Sequence, residues 1–191
     1  SAIDLLTRIN MGRIPMDATI RDFMAQRRFI GSKDRTAIVE RVYRAMRAHA
    51  RLSWWMAQKS IPDTARARLL ADFVLSDKPS DEDIFAIFSG EKHAPDVLGE
   101  DEQIFIAFLQ GKTDQQEAAI KTYELFEKNF GLDENVVMEK KNLLLRMNKF
   151  NEAVNEIHKL VNEFPGETDY LMMEADLYRA NRMKEKAIES Y

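Results

Sequence analysis

The chain has 191 residues, 45% of them hydrophobic and 31% charged, with a net charge of -4, a composition that suits one compact domain or two small ones and excludes disorder as the main state. Zero cysteines exclude disulfides, thiolate metal sites and every cysteine nucleophile. No apolar run approaches the roughly 18 residues of a membrane span, and no basic region leads into an apolar run at the start, which predicts a soluble, cytoplasmic protein without a signal peptide or membrane contact.

The net charge conceals an asymmetry. Residues 1–70 hold 14 Lys or Arg against 6 Asp or Glu, residues 71–112 hold 3 against 10, and residues 113–191 hold 11 against 16. Twelve of the 14 early cations are Arg, eight of the 11 late ones are Lys, and Asn rises from one before residue 113 to eight after it. Folding does not demand such a switch, so it predicts two segments of different origin meeting near Gly111, Lys112 and Thr113; a domain boundary is the plainer reading of the same fact. Seven glycines and five prolines in stretches rich in Ala, Leu, Arg, Lys and Glu predict an all-α fold.

In chain order, residues 2–10 carry apolar side chains at 2, 3, 5, 6 and 9 and read as a helix cut off at its start. Pro15 opens a second helix, with Asp17 placed to cap it and Ile20, Phe23 and Met24 as its apolar stripe. Gly31 suits a left-handed position and Ser32 a cap for the third helix. At about 100° per residue, Ile38, Val42, Ala45, Met46 and His49 share one face of that helix, while Arg41, Arg44, Arg47 and Arg51 fall within about 120° on the other. Trp54 and Trp55 follow, as base-stacking rings or, more ordinarily, core. Further helices are predicted near 63–75, 81–89 and 100–110, with Ser80 as a cap followed by Asp81, Glu82 and Asp83 at the positive end of a helix dipole, and Gly90 as a terminator.

Guanidinium groups bind phosphate bidentately and keep their charge. The candidate RNA-binding residues are therefore Arg27, Arg28, Lys33, Arg41, Arg44, Arg47 and Arg51, set against a solvated face or one paired with the acidic 71–112 segment. The run from Phe23 to Met56, with Gly31-Ser32-Lys33-Asp34-Arg35 at its centre, and the run from Ile84 to Gln103 resemble the NusB-like N-terminal domain of the RsmB/Sun group of ribosomal RNA 5-methylcytosine methyltransferases, over residues 1–112. The resemblance implies a helical bundle that helps engage ribosomal RNA. Asp34 and Arg35, in a first helical turn, read instead as holding helices together. That family's chemistry needs cysteine and an S-adenosylmethionine-binding domain. This chain has no cysteine and no glycine-rich strand-to-helix turn, so methyl transfer by it alone is excluded and no cofactor is expected.

Ala119, Ala153 and Ala187 are 34 residues apart in turn, as are Tyr123, Ile157 and Tyr191, and Leu144 and Tyr178. This period, with small residues where helices cross and Pro165 after the second helix, resembles the tetratricopeptide repeat, with units of about 100–133, 134–167 and 168–191, the last cut off inside its second helix. Lys141 occupies the small-residue place that Ala107 and Ala175 fill in the neighbouring units. Residues 100–112 satisfy both patterns and predict a shared helix, so that a NusB-like domain (1–112) overlaps TPR-like repeats (100–191). The resemblance implies a groove for a peptide or partner helix at Met138, Asn142, Arg146, Met172, Asp176 and Arg179. Met138 stands where a carboxylate-gripping Lys would be, so capture of a C-terminal carboxylate is not expected.

His49, His93 and His158 lack metal-ligand spacing, no Ser, His and Asp grouping has a supporting motif, and most of the ten methionines sit on apolar helix faces. Three readings remain: a non-catalytic module binding ribosomal RNA and protein, a pure protein-protein scaffold whose Arg face pairs internally or with a partner, and a chimera whose halves share no evolved joint function. Finding both halves adjacent in one natural reading frame excludes the last.

Overall fold

The computed structural model describes residues 1–92, 94–181 and 188, and every regular element among them is helical. None of these helices is long and apolar enough to cross a membrane. The chain divides into two compact units, Ser1–Gln115 and Gln116 onward.

The first unit contains α1 (Ala2–Met11), α2 (Met16–Ala25), α3 (Ser32–Arg47), α4 (His49–Ala57) and α5 (Ala65–Asp72), a π-helical turn (Phe73–Asp77), α6 (Asp81–Ile87) and α7 (Glu100–Gly111). α5 is its axis. Every α5 residue except Arg66 is buried, and α1, α3, α4 and α7 pack against it. Leu5 and Leu6 from α1, Val42 from α3, Leu52 from α4 and Ile106 from α7 close the core, each large apolar side chain contributing about 2 kcal/mol on burial. The apolar spacing of α3 thus does what its sequence predicts, since Val42 and Ala45 are buried while Ile38 and Met46 pack at the margin.

In α1, Ser1 Oγ accepts the Asp4 N–H in a reciprocal cap. Local chemistry departs from expectation at three places. Asp17 caps nothing; its carboxylate takes the Tyr43 hydroxyl hydrogen bond, tying α2 to α3. Gly31 is extended at φ -60 rather than left-handed, and it, not Ser32, occupies the cap position of α3. His49 leaves the apolar face because the chain turns at Ala48, and its exposed ring binds Asp63. Other expectations hold: Ser80 Oγ accepts the Asp83 N–H, and Gly90 adopts φ +69 after α6. Arg35 donates from Nε to the Ile30 carbonyl at 2.7 Å and from Nη2 to the Arg28 carbonyl at 3.0 Å, which fixes the α2–α3 turn.

The second unit contains α8 (Gln116–Phe130), α9 (Glu134–Arg146), α10 (Phe150–Glu163) and α11 (Thr168–Ala180), each packed on the next. Helix starts recur with the sequence period: α8 and α10 begin at 116 and 150, and α7, α9 and α11 at 100, 134 and 168. Ala119, Ala153, Tyr123, Ile157 and Leu144 are all buried, whereas Ala187 and Tyr191 lie outside the described residues. The helix at 100–111, expected to serve both halves, belongs to the first unit.

The buried lysine of this unit is Lys140, 1% exposed, not its half-buried neighbour Lys141. Lys140 Nζ lies 3.0 Å from Glu156 and 3.5 Å from Glu127, and Lys159 reaches both carboxylates at 2.8 Å. Burial works against the Lys159 charge, yet the hydrogen bonds it donates to Glu127 and Glu156 hold its pKa above the ordinary lysine value. Two cations and two carboxylates therefore join α8, α9 and α10 beside the apolar cluster of Val137, Ile157 and Leu160.

Candidate nucleic-acid interface

The structure sorts the seven predicted RNA contacts into two kinds. Arg41 and Arg44 are committed internally. Arg44 Nε donates to the fully buried Asp72 at 2.7 Å and its Nη1 to Asp77 at 2.6 Å, while Arg41 Nη2 reaches the other Asp77 oxygen at 2.9 Å and stacks over Phe73. Hydrogen bonding by Asp77 and Asp72 outweighs partial burial and raises the Arg44 pKa above its ordinary value. Asp77 ends the π-helical turn, and its pairing with Arg41 and Arg44 ties the centre of the stripe to the acidic segment.

The flanks differ. Arg28 and Lys33 are exposed on the α2–α3 turn, and Arg47 and Arg51 are exposed around the α3–α4 joint, with no ion pair among the described residues. Arg47 Nε donates only to the Tyr43 carbonyl. Arg27 is half-buried, its guanidinium 3.8 Å from the centroid of the Phe23 ring. Along α3, Lys33 and Arg47 stand about 21 Å apart at 1.5 Å per residue, so the surface offers two cationic clusters rather than one band.

Two carboxylates of this unit, Glu102 and Asp63, are engaged with other groups. Glu102 takes two hydrogen bonds from Arg66, whose Nη2 also bonds the Asp96 and Val97 carbonyls. Asp63 accepts from Arg68, Ser53 and His49. Burial opposes ionisation of Asp63, but hydrogen bonds from Arg68, Ser53 and His49 outweigh it and hold the carboxyl below its ordinary value. Although Ser53, His49 and Asp63 meet, both side chains address the same Asp63 oxygen, an arrangement that orients a carboxylate rather than activating a serine. No group of three His, Asp or Glu among the described residues is placed to hold a metal; His93 lies outside them.

Sequence reasoning missed a cleft lined by Arg27, Phe29, Ile38, Arg66, Pro95 and Asp96, in which Phe29 is 85% exposed. Arg66 draws the 96–97 backbone to this place from 30 residues away, a non-local contact without a local signal.

In the second unit, Asn142, Arg146, Met172, Asp176 and Arg179 are exposed, whereas Met138 packs against the cluster of Val137, Ile157 and Leu160. Asp176 and Arg179 pair with each other at 2.8 Å. The predicted groove therefore presents one apolar anchor, Met172, among polar groups. The class this architecture defines is an all-helical protein of two units. Comparison with protein-family models, curated proteins and solved structures finds no match in any of the three.

Proposed function

We propose that this chain is a non-catalytic interaction protein whose first unit binds RNA. The observation that carries this reading is the set of exposed cations, Arg28, Lys33, Arg47 and Arg51, which form no ion pair among the described residues, whereas Arg41, Arg44, Arg66 and Arg68 are paired with Asp63, Asp72, Asp77 and Glu102. Resemblance to the NusB-like domain makes structured ribosomal RNA the substrate of choice. Anisotropy of a labelled ribosomal RNA fragment tests it. With about four phosphate contacts, affinity should fall about a hundredfold between about 50 and about 200 mM salt. The triple change Arg28→Glu, Lys33→Glu and Arg47→Glu should abolish binding, and unchanged binding ends the proposal.

A second reading, that the second unit takes a peptide or partner helix, is favoured by the recurrence of helix starts every 34 residues, which supports the tetratricopeptide resemblance. A peptide selected on the full chain should lose binding to Met172→Glu and be indifferent to nuclease. Retention by that variant removes Met172 from the contact.

A further inference from the structure

Trp54 is 56% exposed, an unusual position for the largest apolar side chain. Its neighbour behaves otherwise: Trp55 is half-buried, edge-on to Phe108 at 5.9 Å between ring centroids. Trp54 touches Trp55 edge-on at 4.8 Å, which steadies the indole while more than half of it stays open.

One flank of Trp54 is cationic. Arg51 lies one turn earlier on α4, at the spacing that brings side chains together. At about 100° per residue within α4, Arg51, Trp54 and the following Gln58 share an arc of about 60°, with Ala50 and Ala57 on the other flank of Trp54. All five are exposed. His49 and Ser53, which carry Asp63, each lie about 160° from Arg51 round the same axis, so that carboxylate stands away from the Arg51 guanidinium. Arg47, on the far side of the turn at Ala48, lines a cleft with Glu40, Arg41, Arg44 and Asp77 and does not belong to this face. A protein hot spot surrounds its aromatic anchor with apolar groups that exclude water. Here the long neighbours of Trp54 are a guanidinium and an amide, and its apolar neighbours are only the small side chains of Ala50 and Ala57, while stacking of one base needs only a ring.

We propose that Trp54 and Arg51 form a site for single-stranded nucleic acid, in which the indole stacks an unpaired base and the guanidinium takes a flanking phosphate. This rests on the RNA reading and moves its centre from Arg41 and Arg44 to the face of α4. Titration of the full chain with a labelled oligouridylate of about ten nucleotides tests it, read by anisotropy and by tryptophan emission. Binding should quench emission. Trp54→Ala should weaken affinity about tenfold, Trp54→Phe should keep it within about threefold while losing most of the quench, and Arg51→Glu should weaken binding and flatten the salt slope by about one. Circular dichroism confirms that the variants stay folded. Wild-type affinity in Trp54→Ala, or binding of structured RNA without binding of the oligouridylate, overturns the site and leaves the RNA reading standing. Failure of the wild-type chain to bind either RNA overturns both.

Discussion

The two units solve the problem of buried charge differently. In the first, guanidiniums reach carboxylates and carbonyls far away in sequence: Arg44 meets Asp77 across 33 residues, Arg66 meets Glu102 across 36, and Arg68 meets Asn10 across 58. In the second, Lys140 and Lys159 share two glutamates with neighbouring helices, and every helix packs on the next. A stacked repeat needs only nearest-neighbour contacts, whereas the first unit is built around one buried helix whose partners come from both of its flanks. The first arrangement leaves Arg47 and Arg51 exposed; the second encloses Lys140.

Substitution of Lys140 should have the largest effect on this contrast. Lys140→Ala leaves Glu127 and Glu156 with Lys159 alone, and removal of one buried partner should cost about 3 kcal/mol. Both tryptophans lie in the first unit, so urea unfolding followed by circular dichroism should show the loss while the tryptophan transition stays in place. If the two probes move together, the units unfold as one and the contrast fails as an energetic one.

A smaller effect should come from the opposite direction. Thr64 Oγ1 accepts the Ala67 N–H at 3.1 Å and caps α5, so Thr64→Ala should cost about 1 kcal/mol, this time in the tryptophan transition. Least of all, Asp63 should confer a weak acid sensitivity on the α4–α5 connection. Because its folded pKa lies below the ordinary 3.8, its contribution is complete above about pH 4 and is lost as pH falls through the folded value. Tryptophan emission should shift in that window, and Asp63→Asn should remove the shift.

Legibility in the sequence followed the range of the interaction. The Ser80 cap, the buried Val42 and Ala45, and the alanines 119 and 153 depend on residues within a turn or two, or on a repeated frame, and their roles could be read directly. Asp17 could not, because its claim to a helix start was local while the competing Tyr43 hydroxyl lies 26 residues on. Lys141 was singled out by the repeat frame, yet one residue is about 100° of helix, and it is Lys140 that turns inward. Among the candidate RNA contacts, composition identified the arginines but not which of them were already engaged. Trp54 and Trp55 are alike in sequence, and only Phe108, from a helix about 50 residues away, separates the half-buried ring from the open one.

Sequence by itself determined the helical class, the change of character near residue 113, the 34-residue period and the pool of cations in the first 70 residues, all of which follow from composition and local periodicity. Tertiary structure decided how the net charge of -4 is distributed. It pairs Arg41 and Arg44 with Asp72 and Asp77, leaves Arg51 exposed one turn from Trp54, and encloses Lys140 among glutamates. An ion pair forms where two side chains meet in space and water is excluded, and the order of residues along the chain does not set that condition.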